Sequence, residues 1–419
     1  MKDILKKIIV ENQELIPFKL FNRSLEVFSS SNKISAFIGL RRVGKTHLLY
    51  QVMNSLVDVK DKLIFINFED DRLTNFSFKN FDLILEAYFE LFPNNVDVKL
   101  YFFFDEVQAV LGWEKFVNRL FERKHKVFVT GSSSKLLSKE LATVLRGRAL
   151  SVNVFPLSFK EFLGVKNFVF SNKSFFSKDR FQIKKFFNDF LVWGGFFEVV
   201  NSLSDLERRK VVETYIDLIV YKDLVERYNI KNLDLVKFLI RYFSTNLGCK
   251  VSLNKLYNLL SSKMRVSKDG IVNYVSLLTD IGFLYRIDKF GFSLKSTARS
   301  KYYLVDNSFK TVHGLNFTAD NGSLLEALVL QELIKRGFEV TYFEDKFECD
   351  FIAKKNELVA IQVCYDITIS KNREVRGLLE ALDKLKLTKG LILTNDFDGE
   401  EVINDKKIIF KSVWKWLLE

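Results

Sequence analysis

Gly39-Leu40-Arg41-Arg42-Val43-Gly44-Lys45-Thr46 carries the pattern G-x-x-x-x-G-K-[ST] close to the N-terminus. Residues of these types at this spacing suit one task, the holding of phosphate. The glycines let successive backbone N–H groups close around phosphate oxygens. A helix that begins at the loop adds the partial positive charge of its N-terminus. Lys45 would reach the β- and γ-phosphates, and the Thr46 hydroxyl would face Mg²⁺. Gly39, Arg42, Val43, Gly44, Lys45, Thr46 and His47 thus form the candidate nucleotide-binding set. A second motif, Leu100-Tyr101-Phe102-Phe103-Phe104-Asp105-Glu106, ends an apolar run in two carboxylates. Asp105 would hold Mg²⁺ through water, and Glu106 would polarise the attacking water as a general base or orienting group. The two motifs together imply a nucleoside triphosphate and Mg²⁺ as ligands and point to hydrolysis.

Three further stretches belong to the same chemistry. Thr130-Gly131-Ser132-Ser133 ends an apolar run in hydroxyls that could bond the γ-phosphate or the attacking water. Leu145-Arg146-Gly147-Arg148 sets two arginines around a glycine. They could steady the phosphoryl transition state, in cis or from a neighbouring subunit, or form a solvated basic turn. Glu69-Asp70-Asp71 reads equally as acids beside Mg²⁺ or as a solvated turn.

The elements that must position these residues follow from the apolar pattern. Runs at Lys33 to Ile38, Leu63 to Asp70, Leu100 to Phe104 and Val127 to Ser134 read as strands. Helical spacing occupies Phe81 to Phe92 and Trp113 to Lys124. Strands that alternate with helices imply a parallel sheet covered on both faces, an α/β fold whose ligands bind at the carboxyl ends of the strands. Residues 1 to 30 read as a helical lead-in, interrupted at Pro17-Phe18 near the expected base of the nucleotide.

The chain has 419 residues, 48% of them hydrophobic, enough for two or three domains with real cores. Its 43 phenylalanines read first as a codon-bias effect. Three scattered cysteines and three isolated histidines suggest no metal site and fit a reduced, cytoplasmic compartment. The charged N-terminus is unlike a signal peptide, and no apolar run approaches the ~18–20 residues of a membrane span.

The formal charge of +12 favours an acidic partner, nucleic acid first. Eleven Lys/Arg against four Asp/Glu fall between Asp234 and Ser300. Within that stretch the order is helix, turn, helix, strand, with Ser267 as the N-cap of the second helix. This is a winged helix-turn-helix pattern. Lys268 and Asn273, beside Tyr274, would face the major groove of double-stranded DNA, and Lys263, Arg265 and Arg286 would touch phosphates. The same fold used only for packing is the plain alternative.

The motifs in series, with Phe155-Pro156-Leu157-Ser158-Phe159-Lys160-Glu161-Phe162 after them, resemble the archaeal and bacterial AAA+ ATPases that carry a C-terminal domain of unknown function, DUF4143, near the signal-transducing STAND branch. The resemblance implies Walker A at Gly39, Gly44, Lys45 and Thr46, and Walker B at Asp105 and Glu106. It implies a sensor at Ser132 or Ser133, and an arginine finger or second sensor at Arg146 and Arg148. The family's Gly-Gly-x-Pro element, thought to contact the base, reads Gly194-Gly195-Phe196-Phe197 here, with Phe197 in place of proline.

The C-terminal part resembles a restriction-endonuclease-like core. Glu326, Asp350 and Gln362 fill three of its positions, a vestigial metal set. Cys364 stands at the lysine position, where a thiol supplies no positive charge. Lys371 or Lys354 could substitute, and otherwise the domain is degenerate and kept for binding or assembly.

Four segments result: a P-loop core at 1–165, a helical lid or linker at 166–233, the winged helix at 234–300 and the nuclease-like domain at 301–419. The expected activity is an ATP-driven switch that binds DNA. A signalling or scaffold ATPase with protein partners, as a homo-oligomer or otherwise, and an ATP-regulated nuclease are the alternatives.

Overall fold

A computed structural model describes residues 1–24, 32–131, 147–291, 299–314 and 320–419. The chain forms two compact units, Met1–Val154 with Asp280–Gly282, and Phe155–Thr279 with Phe283–Glu419.

The first unit is built on a five-stranded sheet: β1 (Ile34–Ile38), β2 (Leu63–Asn67), β3 (Tyr101–Asp105), β4 (Lys126–Gly131) and β5 (Ala149–Asn153). All neighbours are parallel, in the order β2-β3-β4-β1-β5. Strands covered on both faces read as near-continuous apolar runs, and β1 and β4 are buried at every residue. Phe102 and Phe104 enter the core with α1 (Lys2–Glu14), α3 (Asp82–Leu91) and α4 (Trp113–Glu122). Trp113, Phe116, Val117 and Leu120 make the buried stripe of α4, at the spacing of one helical face. Phe103 points to the opposite face and stacks on Phe128 with ring centroids 4.8 Å apart. On α2 (Lys45–Asn54), Tyr50 meets Phe65 at 5.3 Å. Many phenylalanines are therefore core residues on both faces of the sheet, whatever the origin of their abundance. Strand β5 was not expected from the pattern. Only Val152 of it is buried, so its apolar signal is faint.

The second unit opens with α5 (Phe159–Val165), where Ser158 and Glu161 cap each other. Then come α6 (Asp179–Trp193), α7 (Phe197–Asn201), α8 (Asp205–Leu218), a π-helical turn at Ile219–Glu226 and α9 (Leu233–Thr245). Next are β6 (Lys250–Val251), α10 (Leu253–Ser261), α11 (Lys268–Asp280), β7 (Leu284–Ile287) and β8 (Ser300–Leu304). The three strands form an antiparallel sheet ordered β6-β8-β7. After α12 (Ser308–His313) and α13 (Asn321–Lys335) come β9 (Glu339–Glu344), β10 (Glu348–Lys354) and β11 (Leu358–Cys364). The chain closes with α14 (Ile367–Lys384), β12 (Lys389–Thr394), β13 (Gly399–Ile403), β14 (Lys406–Ser412) and α15 (Val413–Trp416). The six strands order as β13-β14-β12-β11-β10-β9. Leu378, Ala381 and Leu382 of α14 bury against Cys349, Ile352, Ile392 and Phe410. Among the described residues no helix is long and apolar enough to cross a membrane.

Candidate active site

The loop between β1 and α2 is shaped by its glycines. A Cβ on Gly39 would stand 2.2 Å from the Val154 carbonyl oxygen, so no other residue fits. Gly44 takes φ 95°, a left-handed conformation that a side chain disfavours. Lys45 then begins α2, and only 4% of it is exposed. Its Nζ donates to the Leu40 carbonyl at 3.3 Å and lies 3.4 Å from Glu106 Oε1. Arg41 forks onto Glu69 at 2.8 and 3.1 Å. Arg23 Nη1 donates to the Val43 carbonyl at 2.9 Å, which ties the lead-in segment to the loop.

The register of the sheet brings the second motif to this loop. Pairing of Phe104 with Val129 leaves Asp105 and Thr130 at adjoining strand ends. Thr46 Oγ1 donates to Asp105 Oδ2 at 2.8 Å. Thr130 Oγ1 donates to Asp105 Oδ1 and accepts the Glu106 N–H at 2.9 Å. Glu106 takes φ 50°, an uncommon conformation for a residue with a Cβ. Its other oxygen, Oε2, accepts from Gln108 Nε2.

The two acids are driven apart electrostatically. Burial, then the charge of Glu106, pushes the Asp105 carboxyl up to about 6. Burial also presses Glu106 upward, but Lys45, Gln108 and Arg41 outweigh it and hold Glu106 below the usual carboxylate range. Glu106 is therefore the ionised acid, as a base must be. Thr46 and Asp105 form an oxygen pair that fits Mg²⁺, and buried Lys45 above a left-handed glycine fits phosphate.

Of the remaining expected residues, Ser132, Ser133 and Arg146 lie outside the described residues. Arg148 precedes β5, and its carbonyl accepts from Ile34 N at the start of β1. It thus sits at the amino edge of the sheet, whereas the phosphate loop leaves the carboxyl edge, about 16 Å away for a five-residue strand. Its guanidinium bonds Asn118 at 2.5 Å and Glu122 at 2.6 Å of α4. A cis finger at Arg148 is corrected on this ground. Of the two readings of Glu69-Asp70-Asp71, the turn is the one these contacts favour, since Glu69 holds Arg41 and Asp70 bonds Arg72. His47 is an exposed residue of α2. Phe18 stacks on Tyr50 at 4.0 Å.

In the second unit, Gly194 and Gly195 are explained by a carboxylate. A Cβ on Gly194 would stand 1.9 Å from Asp306 Oδ1. The Gly195 N–H donates to Asp306 Oδ2 at 2.7 Å. These glycines admit the buried Asp306 side chain.

Among the residues expected to meet DNA, Lys263, Arg265, Lys268 and Asn273 are exposed around α10 and α11. Ser267 Oγ accepts from Gly270 N at 3.0 Å, the N-cap expected for α11. Arg286 is exposed but paired with Asp288 at 2.9 Å.

Glu326 and Asp350 converge, but around a residue that the pattern did not single out, while the Gln362 side chain bonds the Asp350 backbone and Glu374. Lys301 of β8, 3% exposed, places its Nζ 3.0 Å from Glu326 Oε1, 2.5 Å from Glu348 Oε1 and 3.7 Å from Asp350 Oδ1. The Asp350 N–H donates to Gln362 Oε1 at 3.0 Å. Burial opposes the charge on Lys301, but Glu326 and the other acids raise its pKa well above the lysine range. The suggested substitutes lie elsewhere: Lys371 pairs with Glu401, and Lys354 is exposed at the end of β10. Among the described residues, no group of three or more His, Cys, Asp and Glu could hold a metal ion. Lys301 carried no signal in sequence because it lies before the acids on a separate sheet.

Comparison with known proteins gives two partial family matches. An AAA domain matches residues 31–163. A domain of unknown function matches 184–320, and it is DUF8612, where the sequence resemblance named DUF4143. Uncharacterized protein MJ1544 of Methanocaldococcus jannaschii is 35% identical over 431 residues, covering 100% of this chain and 96% of that protein. An uncharacterized protein of Haemophilus influenzae is 30% identical over 424 residues, covering 97% and 100%. Among solved structures, the Walker-type ATPase PABY2304 of Pyrococcus abyssi is 15% identical with a TM-score of 0.39, covering 74% of this chain and 95% of that one.

Proposed function

The chain belongs to one family with MJ1544 of Methanocaldococcus jannaschii and carries an AAA domain, and from this premise we propose that it hydrolyses ATP and uses the cycle to alter its hold on double-stranded DNA. The observation that carries the proposal is the set Lys45, Thr46, Asp105, Glu106 and Thr130, joined by one hydrogen-bond network at the carboxyl edge of the sheet.

Each residue has a distinct task. Lys45 is paired with Glu106 in this structure. A γ-phosphate competes for that ammonium and leaves the Glu106 carboxylate to accept a proton from water. Thr46 and Asp105 would hold Mg²⁺, which when bound neutralises charge on the β- and γ-phosphates. Thr130 keeps Asp105 and the Glu106 backbone in register. Gln108 restrains the free oxygen of Glu106.

Support for DNA as the partner comes from the exposed Lys263, Arg265, Lys268 and Asn273, in a helix-turn-helix followed by a small sheet, read as a winged helix. The steady-state ATPase rate with and without duplex DNA, with Lys45→Ala as the blank, tests the proposal. Stimulation that fades with salt is the expected result. A Lys45-dependent rate indifferent to DNA overturns the DNA part and favours a protein partner. No Lys45-dependent rate overturns the whole.

A further inference from the structure

Residues of the expected nuclease site meet at an ammonium. Lys301 is nearly fully buried, and its Nζ sits between Glu326 of α13 and Glu348 and Asp350 of β10. Glu326 Oε1 also accepts from the Tyr303 hydroxyl at 2.6 Å. Asp350 Oδ2 accepts the Val363 N–H at 2.9 Å. Lys250 is the ladder partner of Lys301 across β6 and β8. Its ammonium reaches Glu344 at 2.5 Å and also bonds Glu348. Like charges opposite each other on a ladder repel. Here each ammonium has its own carboxylates, and Glu348 bridges the two.

We infer that Lys301 is the resident cation of this acidic cluster, standing where a nuclease of this shape would need a divalent metal, so that the cluster excludes metal and instead fastens the three-stranded sheet to the six-stranded one. Two observations and one general argument carry this. The ammonium lies within hydrogen-bonding distance of carboxylates from two elements, and a divalent ion at about 2.0–2.6 Å from those oxygens could not share the space. Both Asp350 oxygens face internal partners, Lys301 and the Val363 N–H, which leaves neither oriented to a ligand. Burying a carboxylate requires a paired charge, and removal of one partner is costly while the pair itself is tolerated. Lysine is thus a structural counter-ion here, and Cys364 is under no demand to supply positive charge.

The test uses the full chain without nucleotide and MnCl₂ alone as the probe, read by thermal melting and by Mn²⁺ electron paramagnetic resonance. Wild type and Glu326→Gln are expected to respond alike, because any Mn²⁺ held at the phosphate loop is common to both. Lys301→Ala is expected to melt lower than wild type and to be raised by Mn²⁺, but not by NaCl of equal ionic strength. That rescue is expected to vanish in Lys301→Ala/Glu326→Gln. Stoichiometric Mn²⁺ binding by wild type that Glu326→Gln removes overturns the inference. So does a folded Lys301→Ala that is indifferent to Mn²⁺. Should Lys301→Ala not fold, the comparison of wild type with Glu326→Gln decides alone: equal response upholds the inference, and loss of binding overturns it.

Discussion

The Thr130 hydroxyl accepts the Glu106 N–H at 2.9 Å and donates to Asp105, so one side chain sets the backbone of the expected base and the orientation of the expected metal ligand. Thr130 is fully buried, and Glu106 is held in a left-handed conformation beside it. Replacing it with Val leaves a buried acceptor and donor unmatched. Thr130→Val is expected to cost about 1–3 kcal/mol of stability in chemical denaturation and to slow hydrolysis, while Thr130→Ser retains both. A Val variant as active and stable as wild type would sink this role.

Glu106 and Lys45 should separate binding from chemistry. Glu106→Gln preserves shape but removes the base, so turnover is expected to fall about 10²–10⁴-fold with nucleotide affinity largely retained. Lys45→Ala is expected to lose affinity as well, because it removes the buried ammonium offered to phosphate. Titration with a fluorescent ATP analogue beside the turnover assay distinguishes the two.

Asp105 carries a stability cost that depends on pH. Its folded pKa, about 6, lies above the usual aspartate value, so the folded state binds its proton more tightly than the unfolded chain. The cost is therefore absent below about pH 4, where both states are protonated, and grows as pH rises through about 6, up to about 3 kcal/mol. Nucleotide-free Asp105→Asn is expected to melt above wild type near about pH 8, with the gap closing towards about pH 4, and to be inactive. An unchanged gap across that window would refute the burial argument.

Arg148 bonds α4 at the amino edge of the sheet. Arg148→Ala is expected to leave the specific activity of a dilute sample unchanged and to cost at most about 1 kcal/mol, the worth of an exposed pair. Loss of activity that appears only at high protein concentration would assign Arg148 to a neighbouring subunit's site.

Lys263, Arg265 and Lys268 are exposed cations on or between α10 and α11. If each neutralises a DNA phosphate, removing one lowers the salt slope of binding by about 0.9. The triple alanine variant should therefore lose affinity for all duplex sequences alike, measured by fluorescence anisotropy over a salt series. A slope equal to that of wild type would exclude this surface as the contact.

Chemistry confined to one turn of chain was legible before any fold was known. The phosphate loop, the Asp105-Glu106 strand end and the Ser267 cap depend on residues next to one another, and local sterics dictate their geometry. The four apolar strands were legible because burial on both faces leaves a continuous run. β5 was not, because an exposed edge strand needs little apolar surface. What tertiary structure decided are the contacts across strands and between sheets. Strand order put Thr130 beside Asp105 and sent Arg148 to the far edge, and neither can be read from spacing along the chain. The pairing of β6 with β8 carried Lys250 and Lys301 into a carboxylate cluster on another sheet. A sequence declares which groups are charged; the register of its sheets determines which opposite charges they meet once water is gone.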